Sequence, residues 1–172
     1  MQTLHTERLR LEPLRRTHAP AMFPLLQDPT IYTHLDHGPP PSLEHLEGVY
    51  TRLEARRSPD GREQWLNWIV FRVEAPAQPV RPLGVVQATV LSGGRAWVAY
   101  ELAAAHRGRG YALEAVQAML ADLAASFDVQ HFQATVEAGN ERSIHLLRRL
   151  GFQEAAPEGI TTLTETERLY LR

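Results

Sequence analysis

Tyr100-Glu101-Leu102-Ala103-Ala104-Ala105-His106-Arg107-Gly108-Arg109-Gly110-Tyr111-Ala112 joins two segments of opposite character. Residues 96–103, which end inside it, are rich in β-branched and aromatic side chains and read as a strand. Residues 110–127, which begin inside it, carry Ala112, Val116, Met119, Leu120, Leu123 and Phe127 as the apolar stripe of a long helix. The glycines between them let the backbone approach a ligand closely. A helix start offers unpaired N–H groups and the positive end of a dipole, and both suit phosphate. Arg107 and Arg109 add charge, so the local design suits a pyrophosphate.

Working outward, residues 65–73 and 83–91 read as two further strands, and Ser92-Gly93-Gly94-Arg95 turns the second back as an antiparallel hairpin. Downstream, residues 132–138 alternate as a strand, and Asn140 caps a helix bearing Ile144, Leu147 and Leu150. Gly151 is a good helix stop, with Phe152 as the hydrophobic residue just beyond. The tail, residues 161–171, predicts one or two terminal strands. At the other end, residues 7–14 alternate as a half-buried strand. Thr17 is expected to cap a helix carrying Met22, Phe23, Leu25 and Leu26, with Pro20 in its first turn and Pro24 kinking or restarting it. Ser42 caps a second helix through Leu43, Leu46, Val49 and Leu53. Residues 36–42 and 74–82 are turn-rich surface loops. The order β-α-α-β-β-β-α-β-α-β predicts one mixed α/β (α+β) domain over residues 1–172. Its central sheet is largely antiparallel and flanked by helices.

Composition narrows the function classes. A chain of 172 residues fits one domain, since roughly 100–200 residues per domain is usual. The absence of cysteine excludes a disulfide scaffold, a thiolate nucleophile, an iron–sulfur cluster and a thiolate zinc site, and fits a reducing compartment. A net charge of −2 argues against a nucleic-acid partner. No apolar stretch approaches the roughly 18 residues that span a membrane, and the first residues lack a signal-peptide core. A cytoplasmic protein without a membrane partner is therefore expected. His34 and His37 are the only pair with metal-ligand spacing, and without a clear third ligand no metal site is expected. No nucleophile elbow accompanies the histidines.

Three phosphate-binding patterns compete at the central turn. A P-loop needs a Lys and Ser/Thr that are missing here. A dinucleotide fingerprint needs a third glycine where Leu113 stands, and a parallel βαβ unit, although Asp128 lies near the distance for a ribose contact. The third is Arg-x-x-Gly-x-Ala over residues 107–112. It resembles the signature of the GNAT superfamily of acetyl-CoA-dependent N-acetyltransferases. Further stretches are similar to the branch that includes the ribosomal-protein N-terminal acetyltransferases: Thr6-Glu7-Arg8-Leu9-Arg10-Leu11, Asp28-Pro29, Tyr100-Glu101-Leu102, Glu114-Ala115, Asn140-Glu141-Arg142-Ser143 and Leu150-Gly151-Phe152. They cover most of the chain in the right order.

This resemblance implies that the strand at residues 97–103 splays from the strand at 132–138. The pantetheine arm of acetyl-CoA then pairs with backbone of Leu102, Ala103 and Ala104. The turn Arg107-Gly108-Arg109-Gly110-Tyr111-Ala112 holds the pyrophosphate, and a backbone N–H near Leu102 polarises the thioester carbonyl. Asn140 contacts the pantetheine amide, although capping explains it equally well. Glu101 stands as a general base, acting directly or through water, against the plainer reading of a carboxylate facing solvent or a salt bridge. Ser143 stands as a donor to the departing thiolate, against a plain helix-start serine. Tyr100 and Tyr111 read as packing residues with wet hydroxyls.

The chain also departs from the family. Many members carry a tyrosine general acid seven residues after the asparagine, where this chain has Leu147, a core residue by its periodicity. The implied activity is acetyl transfer to a primary amine, from a monomer or homodimer, without a metal. The rivals are a non-catalytic acyl-CoA-binding module on the same fold and a dinucleotide-dependent oxidoreductase. The acceptor pocket is expected from loops between Gln27 and Ser42 and near Gly159.

Overall fold

The computed structural model describes residues 1–73, 81–156 and 163–172. Along the chain the elements are β1 (Leu4–His5), β2 (Leu9–Pro13), α1 (Ala19–Met22), α2 (Leu43–Glu54), β3 (Gln64–Arg72), β4 (Pro82–Leu91), β5 (Arg95–Leu102), α3 (Tyr111–Phe127), β6 (His131–Glu137), α4 (Glu141–Arg149), β7 (Gln153–Ala155) and β8 (Glu167–Leu171). The strands form one sheet in the order β1-β2-β3-β4-β5-β6-β8-β7. Every neighbouring pair is antiparallel except β5 with β6. The mixed, largely antiparallel sheet expected from the sequence is the one observed.

Strand alternation gives the sheet two apolar faces. Leu66, Trp68, Val70, Val86, Ala88, Val98 and Ala134 face α3 and α4 and pack with Val116, Met119, Leu123, Ile144 and Leu147. Ile69, Phe71 and Val85 face the other way and pack with Met22, Leu46 and Tyr50 of α1 and α2. Phase along each strand therefore assigns every side chain to one side, and this decides the geometry of the site.

The parallel contact between β5 and β6 is brief. Only Arg95, Ala96 and Trp97 pair with His131, Phe132 and Gln133. Beyond that, β5 continues along β4 as far as Leu102, and β6 continues along β8 as far as Glu137. The two strands diverge and leave their facing backbone edges unpaired by each other. The base of this V is pinned by the Gly93-Gly94 turn, where the Gly94 carbonyl accepts from the N–H groups of Gln130 (2.7 Å) and His131 (3.0 Å). Higher up, β4 is pressed onto β5 at Gly84. A Cβ there would lie 2.0 Å from the Glu101 carbonyl oxygen.

Two sequence expectations need correction. Thr17 is not a helix cap: it lies inside a 3-10 turn, Arg16–His18, and His18 precedes α1. The His18 ring accepts from the Arg15 N–H (3.1 Å) and bonds Glu12 (3.1 Å), and no side chain caps α1. Pro24 restarts the helix as expected. Pro24 has no N–H and its ring opposes the previous turn, so the chain restarts as a 3-10 turn, Leu25–Gln27. In α2, Leu43 is exposed, and Leu46 with Tyr50 forms the buried stripe.

Other local readings hold. Ser42 Oγ accepts from His45 N–H (3.1 Å). Gly151, at φ 86°, stops α4 with paired bonds, Gly151 N–H to Arg148 O (3.0 Å) and Phe152 N–H to Leu147 O (3.0 Å). The strands β1 and β7 were not expected; at two and three residues they are too short to show periodicity. The loop near Gly159, the start of the expected tail strand at Thr161 and most of the loop at residues 74–82 lie outside the described residues. Pro82 itself opens β4.

The contact at Gly84 yields a first prediction. Gly84→Ala forces β4 away from Glu101 and should destabilise the fold by at least about 2 kcal/mol. In thermal unfolding that is a drop of roughly 5 °C or more in Tm for a domain of this size. An unchanged Tm would show that the two strands separate without penalty.

Candidate active site

The turn after β5 is shaped by two glycines, Gly108 at φ 74° and Gly110 at φ 78°, in the left-handed region that other residues avoid. Gly110 immediately precedes α3, and no side chain caps that helix. The first intrahelical bond runs from Glu114 N–H to Gly110 O (3.1 Å). The preceding amides of the first turn therefore have no helical partner.

The first turn of α3 is held from outside. Arg8 donates from Nε to Glu114 Oε2 (2.7 Å) and from Nη1 to the Arg109 carbonyl (3.0 Å), and its guanidinium lies 4.9 Å from the centre of the Tyr111 ring. Thr6 Oγ1 and the Arg8 N–H both donate to Glu114 Oε1. These contacts hold the Glu114 carboxylate below the usual range, against a burial effect that pushes it up.

Arg107 lines the cleft and also reaches across to the loop after α1. Its Nη2 donates to the Thr30 carbonyl (2.9 Å). That carbonyl is presented by a 3-10 turn, Pro29–Ile31, whose start is fixed by Asp28 accepting from Thr30 N–H (2.9 Å) and Thr30 Oγ1 (2.7 Å). The glycine turn and the loop after α1 thus meet across the mouth of the V.

The strand wall follows from alternation. Ala103 N–H donates to Leu83 O (2.9 Å), so the peptide groups of Ala103 point at β4. Those of Leu102, one residue earlier, point the opposite way, toward the cleft. Side chains alternate as well. Tyr100 and Leu102 join the face covered by α3 and α4, and Glu101 lies on the α1–α2 face beside Tyr32, Tyr50 and His37. Burial raises the Glu101 carboxyl above its ordinary value, partly opposed by His37. Burial also raises Tyr32 and Tyr50, and the Glu101 charge adds to it.

On the other face, Asn140 Oδ1 accepts from Ser143 N–H (3.2 Å) and caps α4. The Ser143 hydroxyl meets the Tyr100 hydroxyl at 2.7 Å. Burial pushes the Tyr100 phenol up to about 12.

These walls enclose a cleft of about 990 Å³. Glu101, Leu102, Arg107, Gly108, Gly110, Tyr111, Ala112, Asn140 and Ser143 line it together. Ala103, Ala104 and Arg109 do not: Ala103 is buried, Ala104 starts a 3-10 turn, and Arg109 gives its carbonyl to Arg8. Leu147 is 1% exposed in the main core. His34 lines the cleft beside Gly139, but among the described residues no three His, Cys, Asp or Glu side chains gather as a metal site. Read from sequence as a packing residue, Tyr100 was missed as a polar partner. The available signal was its phase, two residues before Leu102 on the same face of β5.

The family model described as the acetyltransferase (GNAT) domain matches residues 8–153. The chain belongs to the GNAT acetyltransferase family. It is 27% identical over 156 residues to an uncharacterised N-acetyltransferase, p20, of Bacillus licheniformis, covering 90% of this chain and 84% of that one. Among solved structures it resembles a ribosomal alpha-N-protein acetyltransferase in complex with coenzyme A, with TM-score 0.79 and 17% identity over 99% of this chain and 97% of that one. A GNAT-family acetyltransferase from Bordetella pertussis gives TM-score 0.75 and 22% identity, covering 100% and 99% of the two chains. GNAT architecture also accounts for the brief βαβ unit β5-α3-β6. Its parallel pairing lasts three residues and then opens, unlike the continuous parallel sheet of a dinucleotide-binding fold. Among the described residues no helix is long and apolar enough to cross a membrane.

Glu101 in this GNAT cleft leads to a stability prediction. Its folded-state value is raised, so folding favours its protonated form. That contribution is complete below the ordinary glutamate range and is lost as pH rises through the raised value. Glu101→Gln should therefore raise Tm at pH 7–8, and the gain should shrink toward pH 4. A Tm that falls on substitution at both pH values would show that the carboxylate is well paired in the fold.

Proposed function

We propose that this cleft transfers an acetyl group from acetyl-CoA to a primary amine by direct attack. The observation that carries the reading is the opening of the uncapped α3 N-terminus into the same cleft as the unpaired Leu102 edge of β5. The two features suit the two ends of one ligand. The amides of the α3 first turn and of Gly108 and Gly110 would hold the pyrophosphate, and helix dipole and geometry both favour the anion. The Leu102 N–H would pair with the pantetheine side and stabilise the oxyanion that forms at the thioester carbonyl.

The amine would approach from the α1–α2 face. Glu101 waits there, and burial makes its carboxylate a better proton acceptor than an ordinary glutamate. Ser143 would face the sulfur from the opposite side of the sheet. An α-amine, with pKa roughly 7.7–8.0, needs only about 1 kcal/mol to lose its proton at pH 7, whereas a lysine amine needs nearer 4–5 kcal/mol. A weak base and good positioning therefore suit an N-terminal acceptor best. Likeness to the alpha-N-protein acetyltransferase leads in the same direction. A non-catalytic acyl-CoA-binding module is favoured by one feature, the burial of Leu147 where a tyrosine acid often stands.

Thiol release from acetyl-CoA, measured across N-terminal peptides, polyamines, free amino acids and aminoglycosides, separates the two readings. Turnover is expected, fastest with α-amines; tight CoA binding without turnover on any amine would favour the module. Glu101→Gln should lower turnover roughly 10²–10⁴-fold with CoA affinity kept. For the cradle, Gly110→Pro cannot adopt the left-handed geometry and should abolish CoA binding by calorimetry, while Arg109→Ala only weakens it. Undiminished affinity in Gly110→Pro would overturn the cradle assignment.

A further inference from the structure

We propose that Tyr100 is a positioning residue for Ser143, aiming the serine hydroxyl into the cleft at the sulfur of the departing thiol. The inference rests on the acetyl-transfer reading above.

Tyr100 projects from β5 and Ser143 from the first turn of α4, so their 2.7 Å contact bridges the V from one wall to the other. The Ser143 backbone is already fixed, because its N–H is held by Asn140 Oδ1 at 3.2 Å. The hydroxyl would otherwise be free to rotate, and a serine in a helix readily turns back onto a nearby backbone carbonyl. The phenol gives it a fixed partner instead, since its oxygen lies 2.7 Å from the Ser143 hydroxyl and 3.3 Å from the Ser143 carbonyl.

The direction of the bond sets the outcome. Either hydroxyl can donate across the 2.7 Å contact; the proposed role is the arrangement in which Tyr100 donates and Ser143 Oγ accepts. A hydroxyl that accepts from Tyr100 must point its own hydrogen elsewhere, and the remaining open side is the cleft that both residues line. Leu147 is sealed in the core and leaves this role to no side chain of its own.

In the reaction the amine nitrogen forms a bond to the acetyl carbon, the carbon–sulfur bond breaks, and its electron pair stays on sulfur. The amine proton leaves through Glu101 to solvent. Ser143 donates a hydrogen bond to the sulfur as charge develops, and water finally supplies the proton of the free thiol. Tyr100 neither gains nor loses a proton. It fixes the donor in place before the charge appears, which is where preorganisation acts.

The test is a double-mutant cycle on the intact protein, with thiol release at saturating acetyl-CoA and the best amine of the panel. Tyr100→Phe keeps the ring and removes only the hydroxyl. It should lower kcat roughly tenfold, the loss expected for one hydrogen bond, and leave KM for acetyl-CoA within about twofold. Ser143→Ala should lower kcat roughly tenfold to a hundredfold. The double variant should be no slower than Ser143→Ala alone, since Tyr100 acts only through that serine. Losses that multiply in the double variant overturn the proposal. So does a Tyr100→Phe protein that turns over normally, or one that fails to fold, because the hydroxyl would then serve the fold rather than the serine. If the unmodified protein releases no thiol with any amine, acetyl transfer itself is overturned and this role with it. Release by the unmodified protein leaves only Tyr100 in question.

Discussion

The fold is organised around a hydrogen-bond ladder that stops. The strands β5 and β6 pair over three residues on each side and then separate, although both continue as strands. Stopping a ladder inside a sheet is unfavourable: a buried peptide group left without a partner costs roughly 1–3 kcal/mol. The protein tolerates this because each strand is secured on its outer edge, β5 by eight paired residues of β4 and β6 by five of β8. The opening is thus a fixed property of the sheet. Peptide groups such as those of Leu102 are left facing a cleft where a ligand's amides can satisfy them.

The side-chain contacts at the V have one feature in common: each joins a wall to a neighbouring element. Arg8 and Thr6, from the turn between β1 and β2, hold the first turn of α3 through Glu114. Arg107 holds the glycine turn to the loop after α1. Tyr100 holds β5 to α4. None is a strong stabiliser by itself. The Arg8–Glu114 pair is partly solvated, and such pairs are worth roughly 0.2–1 kcal/mol. Their value is geometric, since a cleft without its own ladder needs its walls set from outside. The sheet also separates the polar groups: Glu101 lies on one face and the Ser143–Tyr100 pair on the other, so in the proposed reaction proton removal from the amine and stabilisation of the thiol would be kept apart by the strand itself.

Much of this was legible in the sequence, for physical reasons. Long periodic segments such as α3 and the strands β3, β4 and β5 announced themselves by phase, and Gly151 and Ser42 by their capping chemistry. Arg107, Gly108, Gly110, Asn140, Ser143 and Glu101 line one cleft because local sequence places them at a strand end and at two helix starts. What was not legible depends on distant pairing. Nothing near Gly84 in sequence reveals that the Glu101 carbonyl will press against it. Nothing near Arg107 reveals that Thr30, 77 residues away, will accept its hydrogen bond. Thr17 misled because a hydroxyl before an apolar run is the usual cap, whereas here the chain enters α1 through a 3-10 turn with no side-chain cap. The stretches Thr6–Arg8 and Asp28–Pro29 helped carry the resemblance, but their physical purpose became visible only with their partners.

The order of strands in the sheet has a consequence for how the molecule is made. The strand β8 follows β7 in the chain, yet it lies between β7 and β6. During vectorial synthesis β7 emerges without a neighbour, and the outer edge of β6 stays bare, until β8 arrives and fills both positions at once. Unpaired strand edges are the surfaces on which incompletely folded chains stick to one another. The half of the sheet that carries β6 and supports α4 is therefore the last to become protected. A ribosome stalled before β8 would release a chain with a well-packed α1–α2 face and an adhesive second half, a product readily singled out for degradation.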